Sequence, residues 1–253
     1  RIDGSDIVVD LTGSSPQVDW GGNVVYNFTY AYVHMAVKSI FDPYIPNNDG
    51  AAAPIRLVAP EGTVVNCRFP AAVAARMQIG HFVTEIIYRA LAKALHDRVL
   101  ACSGGTPATM QVFYGRRNTG ENFHAVLIRG GGLGAGSSRD GEGSFIFPAN
   151  GANTPVEILE SDTPLLVKQR ELIADSGGAG KQRGALGRRE AFWVPDDSYA
   201  PQGAVNLAIQ SGRFRIPPEG LFGGKPGAKA QFLVNDQPGN PYGLTRLRAG
   251  ATV

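Results

Sequence analysis

The segment FVTEIIYRALAKAL, at positions 82–95, carries the clearest periodicity in this 253-residue chain. Its apolar residues step by three and one, a spacing that aligns them in a single stripe along a helix. We therefore predict an amphipathic helix over Phe82–Leu95. The stripe consists of Val83, Ile86, Ile87, Ala90, Leu91, Ala94 and Leu95.

A second helix is predicted on the N-terminal side, from Tyr26 to Ile40, where the apolar residues roughly follow helical spacing. The dipeptide Asp42-Pro43 ends it, because a residue before proline avoids the helical region. Short apolar runs at 7–9, 55–58 and 63–65 predict strands. Residues 1–103 thus form the α/β portion of the predicted fold.

Residues 104–253 differ in texture, since short apolar runs alternate there with glycine clusters. This pattern predicts a β-rich portion with long loops and no repeat of fixed period. The fold class is α+β, a helix-bearing α/β layer followed by a β-rich, glycine-loop section. The predicted strands are Met110–Tyr114, Phe123–Arg129, Pro155–Leu159, Leu165–Ile173, Ala191–Val194, Ala204–Gln210 and Ala230–Val234.

Charge and cysteine content exclude several classes of protein. The formal net charge is +2, and the basic residues are scattered, so no nucleic acid partner is expected. Two cysteines are too few for a disulfide framework or a thiolate zinc site, which favours reduced thiols and a cytoplasmic location. No apolar run approaches the roughly 20 residues that span a bilayer, so no membrane contact is expected.

Motifs for nucleotides and metals are incomplete. The glycine run 130–136 follows a predicted strand, but SSRDG at 137–141 cannot open the helix that a dinucleotide needs. Gly180-Lys181 resembles the end of a P-loop, yet Asp175 replaces its first glycine and Gln182 its Ser or Thr. The four histidines do not pair at metal-ligand spacing. We expect this chain to bind neither ATP nor a metal.

Several motifs, taken in order, resemble the hydantoinase B family, which includes the matching half of 5-oxoprolinases. No single motif is decisive, but the ordered series covers nearly the whole chain and is highly specific. The motifs are DLTGSSPQV (10–18), IPNN (45–48) with Gly50, APEG (59–62), PAAVAAR (70–76), NTPVEILE (153–160), DSGGAG (175–180) running on to Arg183-Gly184, and PPEGLFGGKPG (217–227).

The resemblance implies a multi-subunit, ATP-dependent enzyme acting on a small molecule. A hydantoinase A-type partner subunit would bind ATP with Mg and phosphorylate the substrate. The match begins midway along the family pattern, so an N-terminal half, expected to carry a divalent metal, has no counterpart here. The chain starts at Arg1 beside an apolar strand, and we expect it to be part of a larger subunit. Alone, it should be inactive, lack ATPase activity and aggregate.

Three matched segments, at 175–183, 153–157 and 222–226, supply candidate substrate or interface loops, while the catalytic residues stay unassigned. In the first, glycines that accept positive φ could turn backbone amides into a cradle for a carboxylate or phosphate, with Arg183 adding a bidentate contact. A buried crossover loop is the alternative there. In the second, Asn153 could simply cap the entry to a strand. The third, which contains Lys225, could equally be an interface loop. The candidates are Asn153, Thr154, Glu157, Asp175, Ser176, Gly177, Gly178, Gly180, Arg183 and Lys225.

Three functions remain open at this point. The first is hydrolysis of a cyclic amide such as 5-oxoproline or an N-substituted hydantoin. The second is ATP-dependent carboxylation of a ketone of the acetone or acetophenone type. Aromatic residues could line a pocket for it, or could equally be ordinary core and interface residues. The third is a non-catalytic structural half that docks partner subunits. The aromatic candidates are Trp20, Tyr26, Phe28, Tyr30 and Tyr32.

Overall fold

A computed structural model describes residues 1–195 and 205–253. The described chain divides into two compact units, Arg1–Leu100 and Ala101–Val253. The fold is mixed, with a few helices and several separate sheets.

The first unit combines a small sheet with two packed helices. Its elements in chain order are β1 (Ile2–Asp3), β2 (Asp6–Asp10), α1 (Tyr26–Phe41), α2 (Asp49–Ala52), β3 (Ile55–Val58), α3 (Met77–Gly80) and α4 (Phe82–Leu91). Strand β2 lies in the middle of the sheet, antiparallel to β1 and parallel to β3. Helices α1 and α4 pack through apolar faces, and the hydroxyls of Ser39 and Tyr88 lie 2.8 Å apart across them.

Both predicted helices are confirmed, with one change of length. Helix α1 ends at Phe41, directly before the predicted stop at Asp42-Pro43. Helix α4 ends at Leu91 instead of Leu95, and turns follow it. The strand predicted at 63–65 is wrong, because Thr63 makes only isolated bridges to Pro16 and Asn66.

The second unit is built from antiparallel strands. Its elements are β4 (Thr109–Arg116), β5 (Asn122–Arg129), α5 (Val156–Asp162), β6 (Leu166–Leu172), β7 (Arg188–Trp193), β8 (Val205–Gln210), β9 (Leu233–Val234), β10 (Gln237–Pro238) and β11 (Thr245–Leu247). One sheet has the order β11-β8-β4-β5, while β6 pairs with β7 and β9 with β10.

The core of this unit contains side chains from the four-stranded sheet, from the β6–β7 pair and from α5. The rings of Phe113 on β4 and Phe192 on β7 meet edge to face, with centroids 5.3 Å apart, and both side chains are almost fully buried. Leu159 of α5 and Leu207 of β8 join the same cluster. The C-terminal residue Val253 pairs with Phe192 of β7, and the backbone amide of each donates a hydrogen bond to the carbonyl of the other.

One strand prediction in this unit is wrong, and another is met only at its last two residues. Pro155–Leu159 begins helix α5, with Pro155 just before its first residue, where a missing N–H costs nothing. The alternation of Val156-Glu157-Ile158 imitated a strand, but Leu159 alone of these helical residues is fully buried. Ala230–Val234 is strand only at Leu233–Val234, and Ala204 lies outside the described residues.

Candidate functional site

The predicted glycine loop is held by hydrogen bonds to backbone groups, made by its own backbone and by the Ser176 hydroxyl. Ser176 Oγ donates to the Ile173 carbonyl and accepts the amide of Gly187, both at 2.7 Å. Further along, the amide of Lys225 donates to the Ala179 carbonyl at 2.7 Å. The structure therefore brings together Asp175, Ser176, Gly177, Gly178, Gly180, Arg183 and Lys225 where residues 175–187 meet residues 218–228.

Two of these glycines lie where another backbone passes too closely for a side chain. A Cβ on Gly177 would lie 2.1 Å from the Gly184 carbonyl oxygen, and one on Gly178 would lie 2.3 Å from that of Lys225. Gly177, Gly178 and Gly180 do not have positive φ angles. Among the candidates in this loop, Asp175 has one, at 58°. The turn that we predicted for an anion cradle is therefore wrong at these glycines, and the geometry favours the packing alternative.

The charged candidates of this loop lie at the surface. Arg183 NH2 is 2.6 Å from Asp175 Oδ1, and the side chains are 46% and 87% exposed. The amide of Arg183 also donates to Asp140 Oδ1 at 2.7 Å. Because the guanidinium already pairs with a carboxylate, Arg183 is poorly placed as the bidentate anion contact that we predicted.

The second candidate segment leads to a different cluster. Asn153 Oδ1 accepts a hydrogen bond from Arg188 NH1 at 2.8 Å, and the Thr154 carbonyl lies 3.3 Å from Arg170 NH1. Asn153 therefore does not cap the entry to a strand, because helix α5 follows it and its amide oxygen faces Arg188. Glu157 is exposed in the first turn of α5 and is not placed among these arginines by any described contact.

Three arginines converge on one buried glutamate, and we call this set the arginine cluster: Arg129, Arg170, Arg188 and Glu190. Arg129 Nε lies 2.7 Å from Glu190 Oε2, and Arg170 Nε lies 2.8 Å from Oε1. Arg188 NH2 is more distant, at 3.7 Å from Oε1. The Arg129, Arg188 and Glu190 side chains are only 5%, 7% and 6% exposed, while Arg170 is 25% exposed.

Strand register explains why the arginine cluster forms. Arg188 and Glu190 lie two positions apart on β7 and so share one face. Arg170 of β6 is the direct cross-strand partner of Glu190. Arg129, the last residue of β5, extends its guanidinium over the ring of Phe192, with 5.8 Å to the centroid.

The charges of the arginine cluster do not balance. One carboxylate faces three guanidinium groups, and NH1 and NH2 of Arg129 are buried with no hydrogen-bond partner among the described residues. Burial lowers the pKa of Arg129 to about 10; Arg170 and Arg188 act in the same direction and Glu190 opposes them. A concentrated positive charge of this kind is suited to an oxyanion.

The five aromatic candidates of the first unit do not form one group. Phe28 and Tyr32 lie 4.9 Å apart and surround His81, whereas Tyr26 and Tyr30 stack on each other at 6.2 Å. The indole of Trp20 lies against Gly22. We therefore find no single aromatic pocket for an aryl ketone within these described side chains.

His81 should make the stability of the protein depend on pH. Burial lowers its pKa from 6.5 to about 4, so the unfolded chain binds a proton more readily than the folded one between these values. The free energy of unfolding should therefore fall by about 1 kcal/mol per pH unit as the pH drops from 6.5 towards 4. Urea unfolding at pH 7.5, 5.5 and 4.5 measures this, and His81→Gln should flatten the dependence. An equal flattening by His96→Gln, at an exposed position, would contradict the assignment.

Metal and nucleotide sites were also sought in the structure. Within residues 1–195 and 205–253, no group of three or more His, Cys, Asp or Glu side chains could hold a metal ion. Strand β7, and no helix, follows Gly180-Lys181, so this segment lacks the helix N-terminus of a P-loop. No helix in the described part of the chain is long and apolar enough to cross a membrane.

The sequence matches the profile of the family described as Hydantoinase B/oxoprolinase over residues 1–252. The chain belongs to this family. The resemblance inferred from the ordered glycine and proline motifs is thereby confirmed.

Named relatives of this hydantoinase B/oxoprolinase chain are longer than it is. It is 32% identical to the B-type subunit of a putative D-/L-hydantoinase from a Pseudomonas species, over 95% of this chain and 40% of the relative. The chain thus spans about two fifths of the relative that it matches.

Two solved structures share the fold. An ATP-dependent caprolactamase from Pseudomonas jessenii superimposes with a TM-score of 0.75 at 18% identity, covering 99% of this chain and 45% of that one. A nucleotide-free acetone carboxylase gives a TM-score of 0.66 at 22% identity, covering 79% and 27%.

Proposed function

We propose that this chain is the C-terminal part of a hydantoinase B-type subunit of an ATP-dependent enzyme that hydrolyses a cyclic amide. Its membership of the family over 1–252 is the observation that carries the proposal. The similar proteins named for hydantoin and caprolactam both point to ring amides as substrates. The substrate within this class would be 5-oxoproline or an N-substituted hydantoin.

The chemistry gives a reason for dividing the work between subunits. A ring amide resists water because nitrogen donates electrons to the carbonyl, and phosphorylation of the carbonyl oxygen would create a good leaving group. The proposed hydantoinase A-type subunit would hold ATP with Mg and carry out this activation. As the family resemblance implies, the N-terminal half of the B-type subunit would hold a divalent metal.

This chain would contribute binding and orientation. The buried, positively charged arginine cluster, with Asn153 and Thr154 beside it, could orient a group that bears negative charge. The loops of 175–187 and 218–228 would hold Arg188 in place, because Ser176 anchors the residue before it. We propose a cytoplasmic location, consistent with Cys67 and Cys102 forming no disulfide bond.

The second candidate is a subunit of an ATP-dependent ketone carboxylase. Its support is the fold shared with acetone carboxylase, which covers less of this chain than the fold shared with the caprolactamase does. The third candidate, a non-catalytic half that docks partners, predicts that substitutions in the arginine cluster leave turnover unchanged whenever the assembly stays intact.

A substrate panel separates the first two candidates. The full-length subunit, produced with its A-type partner, is given ATP and either 5-oxoproline, N-methylhydantoin, or acetone or acetophenone with bicarbonate. We expect ADP release to rise well above the background only with a cyclic amide. ADP release that depends on a ketone and bicarbonate, with none from the amides, would favour the carboxylase instead.

A further inference from the structure

The arginine cluster contains more positive charge than its own residues neutralise. Arg129 and Arg188 are more than nine-tenths buried, and the nearby carboxylate is that of Glu190 alone among the contacts of the described residues. Moving a charged group out of water is costly unless it is paired and hydrogen-bonded. Among the described residues, two guanidinium charges therefore lack a buried counter-charge.

Several guanidinium nitrogens of the arginine cluster are buried donors without an acceptor among the described residues. NH1 and NH2 of Arg129, and NH2 of both Arg170 and Arg188, are buried without a hydrogen-bond partner in the described chain. Buried polar atoms are nearly always satisfied in native proteins, so several from three arginines at one point require an explanation. Guanidinium N–H groups match the oxygens of a carboxylate or phosphate in geometry and charge.

The surroundings provide both rigidity and an approach. Asn153 holds Arg188 through NH1, and the Thr154 carbonyl lies within reach of Arg170 NH1, so the guanidinium planes are fixed in advance. Arg170 is a quarter exposed and marks the side that solvent reaches. An anion arriving there would meet donors that are already oriented, which lowers the entropic cost of binding.

We propose that Arg129, Arg170 and Arg188 form a binding site for the oxyanion group of a small molecule, a carboxylate or a phosphate. Glu190 positions the arginines and leaves a net positive charge for the ligand. This site follows from the cluster geometry and does not depend on the substrate class or on ATP coupling.

Calorimetry on the full-length protein tests the site, with sodium phosphate in one arm, sodium 5-oxoproline in the second and sodium chloride at matched ionic strength as reference. We expect saturable binding in at least one arm, and the tighter arm identifies the oxyanion. Arg129→Gln should weaken it roughly tenfold to a hundredfold. Arg170→Gln, at the exposed side, provides the same test should Arg129→Gln fail to fold.

The matched control is Arg189→Gln. Arg189 is the neighbour on β7 that is 54% exposed and pairs with Glu171 at 3.2 Å, so its loss should leave binding unchanged. Absence of saturable binding above the chloride reference would overturn the proposal. So would equal affinities in the wild type, Arg129→Gln and Arg170→Gln, or an equal loss in Arg189→Gln.

Discussion

Replacing Glu190 by glutamine is expected to lower the free energy of unfolding by about 3–5 kcal/mol. The change removes the one carboxylate that the described structure places against three guanidinium groups, of which those of Arg129 and Arg188 are buried; the Nε–Oε distances to Arg129 and Arg170 are 2.7 and 2.8 Å. The three positive charges would then repel one another in a site of low polarity. Urea unfolding followed by the fluorescence of Trp193, which lies on the same strand, measures the loss.

The control for this variant is Glu171→Gln on the paired strand β6. Glu171 also contacts an arginine, Arg189 at 3.2 Å, but both side chains are about half exposed. A surface pair of this kind contributes at most about 1 kcal/mol, so the loss should be small. Equal effects of Glu190→Gln and Glu171→Gln would mean that Glu190 does not neutralise mutually repelling buried charges in the arginine cluster.

Gly178→Ala is expected to destabilise the second unit by about 3 kcal/mol. Its Cβ would lie 2.3 Å from the Lys225 carbonyl oxygen and 3.1 Å from the Gly227 amide nitrogen, and backbone atoms cannot rotate away. The loops 175–187 and 218–228 would have to separate, which would also disturb the Ser176 anchor beside Arg188. The same fluorescence-detected unfolding measures the change.

Gly143→Ala serves as the matched control. A Cβ there meets only the methyl groups of Leu172, at 3.6 and 3.8 Å, which is ordinary contact, so stability should change by less than about 0.5 kcal/mol. Wild-type stability in Gly178→Ala would show that the glycine loop has room for a side chain, and would return it to consideration as an open anion cradle.

Helices α1 and α4 could be predicted from sequence because each satisfies a local rule. The apolar stripe of α4 and the stop at Asp42-Pro43 after α1 need no knowledge of distant residues. The same reasoning assigned α5 wrongly, because the alternating Val156-Glu157-Ile158 fits a strand as well as a short helix with one buried residue. Most β-rich segments were located for the same local reason, although their pairing was not.

The arginine cluster could not be predicted because its members come from three strands that the topology brings together. A strand was predicted at Ala191–Val194, and the structure extends it back to Arg188 as β7. The usual assignment places charged residues such as Arg188 and Glu190 outside. Here Arg188 and Glu190 lie on the inner face with Phe192. The one local signal was that Arg188, Glu190 and Phe192 alternate along β7 and therefore share a face with a buried aromatic ring. That signal does not reveal the cluster, because Arg129 and Arg170 come from other strands.

The glycine loop could be predicted only in part from the sequence. Sequence reasoning identified the segment and offered two interpretations of it, an anion cradle or a close crossing of chains. The choice between these interpretations depends on φ at Gly177 and Gly178 and on which carbonyl oxygens lie against the two glycines. The contact between Gly178 and the Lys225 carbonyl depends on a loop that is distant in sequence, so the local sequence does not reveal it. The individual roles of Lys225, Arg183 and Glu157 in function stay predictions.

The proposed cyclic-amide hydrolysis is tested most directly by following both products in one reaction. The full-length subunit and its A-type partner are incubated with ATP, 5-oxoproline or N-methylhydantoin, and isotopically labelled bicarbonate; parallel reactions contain acetone or acetophenone. We predict one ring-opened carboxylate formed per ADP and no label fixed in any organic product. Label incorporated into a ketone-derived acid, with the rings left closed, would contradict the proposal and identify a carboxylase.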